Sequence, residues 1–508
     1  MRIERIFRLS FFVFLAALWL AGGGSAQTGV PAEVLRHADM ILINGKVVTA
    51  DKDFSSQEAV AIRDGKILAV GPTPRIRPLA GPRTKVVDLQ GRAVIPGLID
   101  SHMHFLRAGF TWAREVRLDQ ARSVQEVLSL VEKRGKQLKP GEWILTFGGW
   151  HYGQLKEGRA PARQELDRVL RRAAVPLALR KLPRASFEEK VQGLKLVIRD
   201  FHAAGLTGVI ETIGGGVSDD DLQVLFEAWR RNELTIRTAL LIYTGSLKDG
   251  QRWMRHLPMG FGDDWLRVNG FGERLVAAVQ DSIAPAFPLK PEGLEEYRKF
   301  AGEAARNRWS IQQHTTLGTT AKAFLDIFEE VDRRHPIRDL RWSLAHVELI
   351  SEADIRRVKR LGMGLTIQDR QVIGSELMGQ AWGDAAASGP PLKKMLEIGV
   401  PVGAGTDATV VAPYQPFTTL WWLVSGKNWA GRVVRPNDRI SREDALRMHT
   451  VGSAWFSFDE KVKGSIEPGK LADLVVLTDD YLTVPEDRIR DIRSVMTIVG
   501  GRIVYEAK

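Results

Sequence analysis

The feature that most constrains the fold of this chain is an apolar run that ends in two histidines separated by one residue. The run reads Val94-Ile95-Pro96-Gly97-Leu98-Ile99, and Asp100-Ser101-His102-Met103-His104 follow it. A nearly uninterrupted apolar run of this length is typical of a strand that is covered on both faces, as in a parallel sheet. Positions two apart on a strand share a face, so we expect His102 and His104 to point the same way. Two imidazoles aimed together can hold one metal ion, although histidine pairs also occur in turns and on surfaces.

Strand-like and helix-like runs alternate through the middle of the chain. Further strands are predicted at residues 143–147, 175–179, 207–212, 235–243, 275–279, 309–313, 342–345, 363–368 and 400–404. Helical periodicity is found at residues 124–138, 187–204, 293–307, 320–334, 351–361 and 441–452. This alternation favours a parallel sheet, and its length fits an α/β fold of the (β/α)8 TIM-barrel type.

Both ends of the chain carry short β segments separated by tight turns. The first set lies at residues 38–43, 46–49, 59–63, 66–70 and 85–89, and the last set at residues 472–477, 494–499 and 502–505. Each set is too small to bury a core alone, so we expect the two to pair into one small β-sandwich outside the barrel. The predicted domains are therefore a sandwich made of residues 38–94 and 456–508, and a barrel made of residues 95–455.

The first residues predict export. A basic opening is followed by an apolar stretch at residues 9–21 and by the small residues Gly24-Ser25-Ala26, a pattern typical of a cleavable secretory signal peptide over residues 1–26. The apolar stretch is shorter than the roughly 18 residues that a membrane anchor needs. We therefore expect a periplasmic or secreted protein with no stable membrane anchor after signal cleavage.

Composition narrows the classes of ligand and partner. The chain has no cysteine, so a metal site must use histidine, aspartate, glutamate or a modified lysine. The formal net charge is +11, but basic and acidic residues are interspersed, as they are in residues 488–493. Because no dense basic tract with interleaved aromatic residues is present, we expect a small-molecule substrate and no nucleic-acid partner. Exposed sandwich surfaces are compatible with a homodimer.

Three more polar residues fall at the ends of predicted strands. His314 follows residues 309–313, His346 follows residues 342–345, and Asp407 follows residues 400–404 after a short link. Catalytic groups of such barrels gather at the carboxyl ends of the strands. A single buried histidine is more often a satisfied core residue than a ligand, and His202 and His449 are interpreted in that way. The joint occurrence of these three strand ends with His102 and His104 favours a metal site.

The sequence around these residues resembles that of a known family. The motifs that carry the resemblance are residues 94–104, Gly149-Trp150 with residues 157–161, residues 403–408 and residues 464–477. They resemble the amidohydrolase superfamily, and most of all its third amidohydrolase family, which includes N-substituted formamide deformylases. The likeness extends over nearly the whole mature chain.

The resemblance implies a role for each of the candidate residues. His102 and His104 would bind one metal ion, and His314 and His346 would bind that ion or a second one. Asp407 would bind metal and act as the catalytic base. The implied cofactor is a divalent metal, with zinc as the expected ion, although histidine and carboxylate sites also accept manganese, iron or nickel.

The implied activity is metal-dependent hydrolysis of a non-peptide amide-type C–N bond in an N-acyl, N-formyl or cyclic amide. A divalent metal activates water and polarises a carbonyl, and a neighbouring carboxylate can take the proton of the water and pass it to the leaving nitrogen. Two alternatives stay open. One is a catalytically impaired periplasmic homologue that binds a metal or ligand, against which Asp407 argues, because a structural metal needs no base. The other is a metal-dependent isomerase or decarboxylase on the same scaffold.

The first departure from the family pattern concerns the bridging ligand. Many relatives with two metals carry a carbamylated lysine or a glutamate at the end of the fourth strand. Here Gly272 is followed by Glu273 and no lysine. Glu273 or Asp281 could take this position, and a surface salt bridge is an equally good interpretation of either. The sequence leaves one or two ions open, with a slight preference for one.

The second departure lies after Arg180, where relatives usually continue into a long insert that lines the substrate pocket. This chain passes through residues 181–185 directly into the helix predicted from Phe187. A substrate cannot therefore be transferred from the family. Three weaker substrate-binding candidates remain: Trp150, His151, which could contact substrate or cap a strand, and Gln368, which could line the pocket or only pack.

Overall fold

The computed structural model describes residues 37–139, 144–146, 148–169, 185–214 and 217–508. The predicted signal peptide, the strand predicted at residues 175–179 and most of the short segment after Arg180 lie outside these residues. Within the described part, no helix has the length and apolar character needed to cross a membrane.

Two sheets form the sandwich. From residue 37 onward, seven strands precede the barrel: β1 (Ala38–Ile43), β2 (Lys46–Val48), β3 (Ser56–Gln57), β4 (Ala59–Arg63), β5 (Lys66–Gly71), β6 (Ala80–Asp88) and β7 (Ala93–Pro96). One sheet has the order β5-β4-β1-β6. The other is joined by three strands from the end of the chain, β16 (Leu474–Leu477), β17 (Ser494–Val499) and β18 (Arg502–Glu506), in the order β18-β17-β16-β7-β2-β3. The prediction that both chain ends build one sandwich is confirmed.

The core of the sandwich lies between these two sheets. Alternate apolar residues from each sheet meet there, among them Leu42 and Ile62 from one sheet and Val94, Leu474 and Ile498 from the other. These side chains are almost completely buried, as expected where two sheet faces pack on each other.

Eight parallel strands form the barrel. They are β8 (Leu98–Met103), β9 (Leu206–Glu211), β10 (Arg237–Ile242), β11 (Leu266–Glu273), β12 (Ile311–Thr315), β13 (Ser343–His346), β14 (Gly364–Gln368) and β15 (Val402–Gly405). Each pairs with its neighbours in chain order. Between β15 and β8, the backbone N–H of Thr406 donates to the carboxylate of Asp100, and that of Asp407 donates to the carbonyl of His102 at 2.9 Å. The predicted (β/α)8 fold is therefore confirmed.

Helices lie between and around the strands. They are α1 (Thr73–Ile76), α2 (Phe105–Gly109), α3 (Val124–Gly135), α4 (Arg163–Val169), α5 (Phe187–Ala203), α6 (Asp219–Arg230), α7 (Leu247–His256), α8 (Pro291–Arg306), α9 (Gly318–Asp332), α10 (Glu352–Arg360), α11 (Gln371–Trp382), α12 (Leu392–Ile398), α13 (Pro416–Ser425), α14 (Arg442–Arg447) and α15 (Ser453–Phe456). Several begin at a serine whose hydroxyl accepts the N–H of an acidic residue three positions on, as Ser186 does before α5 and Ser351 before α10. Such caps satisfy backbone donors that the first helical turn leaves unpaired.

Three predicted strands differ from the observed ones. Residues 94–99 do not form one strand, because β7 pairs with β2 and β16 in the sandwich and β8 begins the barrel. Gly97 separates them, and a Cβ at this position would lie 2.2 Å from Thr207 Oγ1. The close approach of this link to β9, which contains Thr207, therefore requires glycine at position 97.

The fourth barrel strand is β11, and the prediction of a strand at residues 275–279 is wrong. Those residues form a loop and a short 3-10 turn (Ala277–Val279) beyond the strand. The strand was missed because glycines interrupt its apolar pattern. Gly270 has φ of 142°, and a Cβ there would lie 2.6 Å from the carbonyl oxygen of Ser310, at the start of the neighbouring strand segment. Of the strand predicted at residues 143–147, the structure describes residues 144–146, where Leu145 pairs with Glu115 outside the barrel.

A buried ion pair joins the barrel to the sandwich. Arg237, at the start of β10, donates from Nε to Asp473 Oδ2 at 2.7 Å and from Nη2 to Asp473 Oδ1 at 3.1 Å. Asp473 also accepts the backbone N–H of Gly500 at 2.8 Å. The side chains of Arg237 and Asp473 are 4% and 5% exposed, so removal of one partner would leave a buried charge.

Candidate metal centre

Six polar residues converge at the carboxyl ends of five barrel strands. Each is at most 7% exposed. They are His102 in β8 and His104 directly after it, Glu273 as the last residue of β11, His314 in β12, His346 as the last residue of β13 and Asp407 just after β15. Because neighbouring parallel strands end at the same rim, residues far apart in sequence become neighbours here.

Glu273 lies between the two pairs of histidines. Its Oε2 is 2.7 Å from His314 Nδ1 and 3.0 Å from His346 Nε2. Its Oε1 is 3.6 Å from His104 Nε2, and its Oε2 is 3.5 Å from His102 Nε2. One carboxylate therefore contacts or faces all four imidazoles.

Asp407 approaches the same group from the opposite side of the barrel rim. Its Oδ1 is 3.1 Å from His104 Nε2 and 3.8 Å from His102 Nε2, and its Oδ2 is 3.9 Å from His346 Nδ1. The residue has φ of 59°, and its backbone N–H bonds to the carbonyl of His102. This anchoring directs the carboxylate inward.

Hydrogen bonds on the far side of each ring determine which nitrogen faces the cluster. His102 Nδ1 is 2.6 Å from Gln312 Oε1, and His104 Nδ1 is 3.2 Å from Thr212 Oγ1. These contacts leave the Nε2 atoms of both residues directed at Glu273 and Asp407. Metal-binding histidines are commonly oriented in this way by a partner on the second nitrogen.

Asp281 serves the same purpose for His314. Its Oδ1 is 3.3 Å from His314 Nε2, on the side away from Glu273. The carboxylate is itself held by the backbone N–H groups of Thr316 and Leu317 and by the hydroxyl of Thr320. Of the two acidic residues that the sequence left open, Glu273 therefore lies among the histidines and Asp281 lies behind one of them.

The electrostatics of the cluster keep both carboxylates ionised. Burial by itself raises the pKa of Glu273, but the charge and hydrogen bond of His314 and the hydrogen bond of His346 lower it well below its ordinary value. Burial likewise acts to raise the pKa of Asp407, and the hydrogen bond from His104 with the charges of nearby histidines lowers it overall. Two anions in a buried space of this size call for a cation between them.

The imidazoles differ in charge. Burial lowers the pKa of His346 to about 3, and the positive charge of Arg370 acts in the same direction. For His314, burial acts to lower the pKa, but Glu273 and Asp281 raise it to about 9. The neutral form of His346 can act as a ligand without first losing a proton, whereas a metal would have to displace a proton from His314.

The cluster fits a divalent metal ion. Three overlapping groups offer ligand atoms within 4.8 Å of one another: His102, His104 and Glu273; His102, His346 and Asp407; and Glu273, His314 and His346. His102 Nε2 and His346 Nδ1 are buried and have no hydrogen-bond partner among the described residues. Imidazole nitrogens and carboxylate oxygens are the donors that zinc and similar ions bind.

The three weaker candidates separate into two groups. Trp150 and His151 line a cavity that Arg370 also lines, and His151 Nδ1 accepts the N–H of Gly153 at 3.1 Å. Gln368 is absent from the described lining of that cavity, and its Oε1 accepts the backbone N–H of His346 at 2.9 Å. His151 therefore caps the short turn Tyr152–Gln154, its contact with substrate stays a prediction, and Gln368 positions the end of β13.

Sequence reasoning missed Arg370, Glu348, Gln312 and Thr212. Arg370 is buried, pairs with Glu348 and lines the same cavity. Thr212, Glu348 and Arg370 lie one or two residues beyond the ends of β9, β13 and β14, so the strand-end rule that selected the histidines could have identified them. Gln312 lies inside β12, and no sequence signal marked it.

Comparison with known proteins identifies the family. A family model described as the amidohydrolase family matches residues 85–181 and 176–505. The chain belongs to the amidohydrolase family. Members of this family are metal-dependent hydrolases, so the chain is a metal-dependent hydrolase of the amidohydrolase superfamily, and the resemblance noted in the sequence is confirmed.

Individual relatives of this family member are distant in sequence. N-substituted formamide deformylase from Arthrobacter pascens is 24% identical over 545 residues, covering 92% of this chain and 98% of the relative. A solved structure of an uncharacterized metal-dependent hydrolase from Pyrococcus horikoshii has a TM-score of 0.65 at 19% identity and covers 88% of this chain and 99% of its own. Atrazine chlorohydrolase TrzN from Arthrobacter aurescens, solved with zinc, has a TM-score of 0.57 at 18% identity and covers 92% and 95%. Identities this low establish the fold and leave the substrate open.

Proposed function

We propose that this protein hydrolyses an amide-type C–N bond outside peptides, in an N-acyl, N-formyl or cyclic amide, with divalent metal bound at the strand-end cluster. The observation that carries the proposal is the convergence of four histidines and two ionised carboxylates in one buried group. The name of the formamide deformylase relative supports the choice of bond.

The residues divide the work according to their positions. His102, His104, His314, His346, Glu273 and Asp407 would hold the metal, which when bound supplies Lewis-acid activation of water and of the substrate carbonyl. Asp407 Oδ1 and Oδ2 face the middle of the cluster, so this carboxylate can accept a proton from the attacking water and return it to the leaving nitrogen. His104, at 3.1 Å, holds that carboxylate in its anionic form.

We further propose that the centre takes two ions, in place of the single ion that the sequence favoured. The position of Glu273 supports this, because its Oε2 lies 2.7 Å from His314 Nδ1 while its Oε1 faces His104 Nε2 at 3.6 Å. Metal analysis of the purified, zinc-loaded protein is expected to give two equivalents per chain, and Glu273→Ala is expected to give fewer. One equivalent in the parent protein would contradict the two-ion arrangement, and none would contradict the metal centre itself.

Activity is tested with panels of N-formyl, N-acyl and cyclic amides, with amine release as the readout. His102→Asn and Asp407→Asn are expected to abolish turnover of any hydrolysed amide. His256→Asn, an exposed histidine at the end of α7, serves as the matched control and is expected to retain it. Parental activity in both site variants would refute the assignment.

The same panels distinguish the competing functions. Tight binding without turnover would favour a periplasmic binding homologue, and product formation without amine release would favour an isomerase or decarboxylase.

We also propose export to the periplasm or medium, supported by the signal-like residues 1–26. Sequencing of the mature amino terminus is expected to begin at Gln27, whereas a chain that retains Met1 would contradict export by cleavage.

A further inference from the structure

A cavity of about 400 Å³ is linked to the metal cluster through Arg370, which lines the cavity and donates to Thr316 beside His314. Its wall comes from the loop that contains Trp150 and Tyr152, from helix α11, from Ile283 after β11 and from Val411 after Asp407. The loop is seated on the segment after Asp407, since the N–H of Gly149 donates to the carbonyl of Val410 at 2.8 Å. A Cβ on Gly148 would lie 2.5 Å from Val410 Cα, so this approach requires glycine.

Arg370 is the charged residue that joins this cavity to the cluster. It is 6% exposed and donates from Nε to Glu348 Oε1 at 2.9 Å. Its Nη2 donates to the same oxygen and to Thr316 Oγ1, which lies 3.4 Å from His314 Nε2. The guanidinium is therefore held rigidly from one edge.

The other edge of the guanidinium is unused. Nη1 carries two donors and has no hydrogen-bond partner among the described residues, while the residue lines the cavity. An arginine fixed on one side and unpaired on the other presents donors to whatever occupies the cavity.

The charge around Arg370 determines which acceptor fits. Glu348 already compensates the guanidinium, and Glu376 lines the same cavity. An anionic group beside Nη1 would therefore meet a second carboxylate in the wall, and the one arginine of the described wall is already paired. An uncharged carbonyl oxygen meets no such penalty.

The rest of the wall is suited to an apolar group. Trp150, Ile283 and Ile373 contribute apolar surface inside the cavity. Tyr152, Leu377 and Val411 are 42%, 54% and 43% exposed and also line it, so large apolar side chains are presented to solvent at its edge. Clustered exposed apolar residues around a concave site are typical of ligand binding.

We propose that this cavity is the substrate subsite and that it selects an uncharged amide carrying an apolar substituent and a second carbonyl group, whose oxygen accepts a hydrogen bond from Arg370 Nη1. The proposal rests on the proposed amide hydrolysis and specifies the substrate class for the same centre. Arg370 is a specificity-determining residue in this arrangement, and Trp150 forms the apolar wall.

The test uses three acetyl amides that differ in one group. N-acetylphenylalaninamide carries a carboxamide, N-acetylphenylalanine carries a carboxylate at the same position, and N-acetyl-1-phenylpropan-2-amine carries a methyl group. The parent protein is expected to favour the carboxamide by about 10-fold or more in kcat/KM, the value of one hydrogen bond to a charged donor. A preference for the carboxylate would overturn the proposal in favour of an anion subsite.

Variants of Arg370 show whether the preference comes from this residue. Arg370→Lys keeps a cation beside Glu348 and is expected to lose about 10- to 100-fold on the carboxamide and less than about twofold on the methyl compound. The double variant Arg370→Met with Glu348→Gln removes both buried charges and is expected to show the same selective loss. Equal losses on all three compounds would mean that Arg370 is only structural.

Trp150→Ala is expected to raise the KM of all three compounds by a similar factor, because all three share the phenyl group. An unchanged KM for all three in this variant would place the apolar group elsewhere.

Failure of this inference is distinguishable from failure of the proposed function. If none of the three is hydrolysed, their order is measured as competitive inhibition of a hydrolysed panel amide, or by calorimetric binding to the zinc-loaded protein. Turnover of panel amides without the expected order of the three compounds would contradict the proposed subsite but not the proposed hydrolysis. The absence of amine release from every amide would contradict the proposed hydrolysis, and the order of binding affinities would still test the subsite.

Discussion

Asp281→Asn tests whether the strand-end cluster binds metal through oriented histidines. The carboxylate lies 3.3 Å from His314 Nε2, and the N–H groups of Thr316 and Leu317 hold it at 3.0 and 2.8 Å. Asparagine keeps one acceptor oxygen but turns the other into a donor, which opposes one of these N–H groups or His314 itself. In both cases His314 loses a rigid partner on the nitrogen that faces away from Glu273.

The size of the effect follows from the role of such partners. Loss of a carboxylate that orients a metal-binding histidine costs about 10- to 100-fold in metal affinity, equivalent to roughly 1.4–2.7 kcal/mol. The assay is zinc titration of the apo protein in competition with a chromophoric chelator. The variant is expected to lose zinc affinity at one site only, because Asp281 does not contact His102 or His104.

Asp473→Asn provides the matched control. Asp473 is also a buried carboxylate held by a backbone N–H, but it lies in the sandwich against Arg237. This variant is expected to lower the free energy of unfolding without changing zinc affinity. The reasoning is refuted if Asp281→Asn binds zinc within twofold of the parent, or if Asp473→Asn weakens zinc binding equally.

Three stability predictions follow from other buried groups. Burial lowers the pKa of His202 to about 4, whereas a histidine in the unfolded chain has a pKa near 6.5. The unfolded chain therefore takes up the proton first as the pH drops, and the free energy of unfolding falls between about pH 6.5 and pH 4. Between pH 7 and pH 5, the free energy of unfolding measured with urea should fall by about 2 kcal/mol less in His202→Gln than in the parent. Arg237→Met should lower the free energy of unfolding by about 3–5 kcal/mol in the same assay, and adding Asp473→Asn should recover part of this loss. A double variant no more stable than Arg237→Met would show that the loss does not come from the ion pair. Gly97→Ala should lower the free energy of unfolding by about 1–3 kcal/mol because its Cβ meets Thr207 of β9. An unchanged free energy of unfolding would show that residue 97 and β9 can move apart.

The fold was predictable wherever local pattern and global structure agree. Alternating strand and helix periodicity predicted the barrel, and short β segments around tight turns at both ends predicted the shared sandwich. Both were confirmed, since these patterns reflect burial on one or two faces of each element. The prediction failed at β11, where Gly270 and Gly272 break the apolar run, and at Gly270 the backbone of Ser310 approaches too closely for a side chain.

The candidate site was predictable only in part. His102, His104, His314, His346 and Asp407 were identifiable because each lies at or near a predicted strand end, and the structure brings all five together with Glu273. The sequence could not separate Glu273 from Asp281, because either acidic residue can follow the strand and only the course of β11 directs one inward and the other behind His314.

Local sequence pattern is enough to assign the secondary structure periods, the residues able to bind metal and the strand ends that carry them. Only the folded chain shows which carboxylate lies between the histidines, which ring nitrogens face it, and that Arg370 is buried and lines the cavity with Nη1 unpaired among the described residues. The physical reason is that periodicity is a property of neighbours along the chain. Orientation within the site depends on contacts between residues such as His102 and Gln312, which lie 210 positions apart.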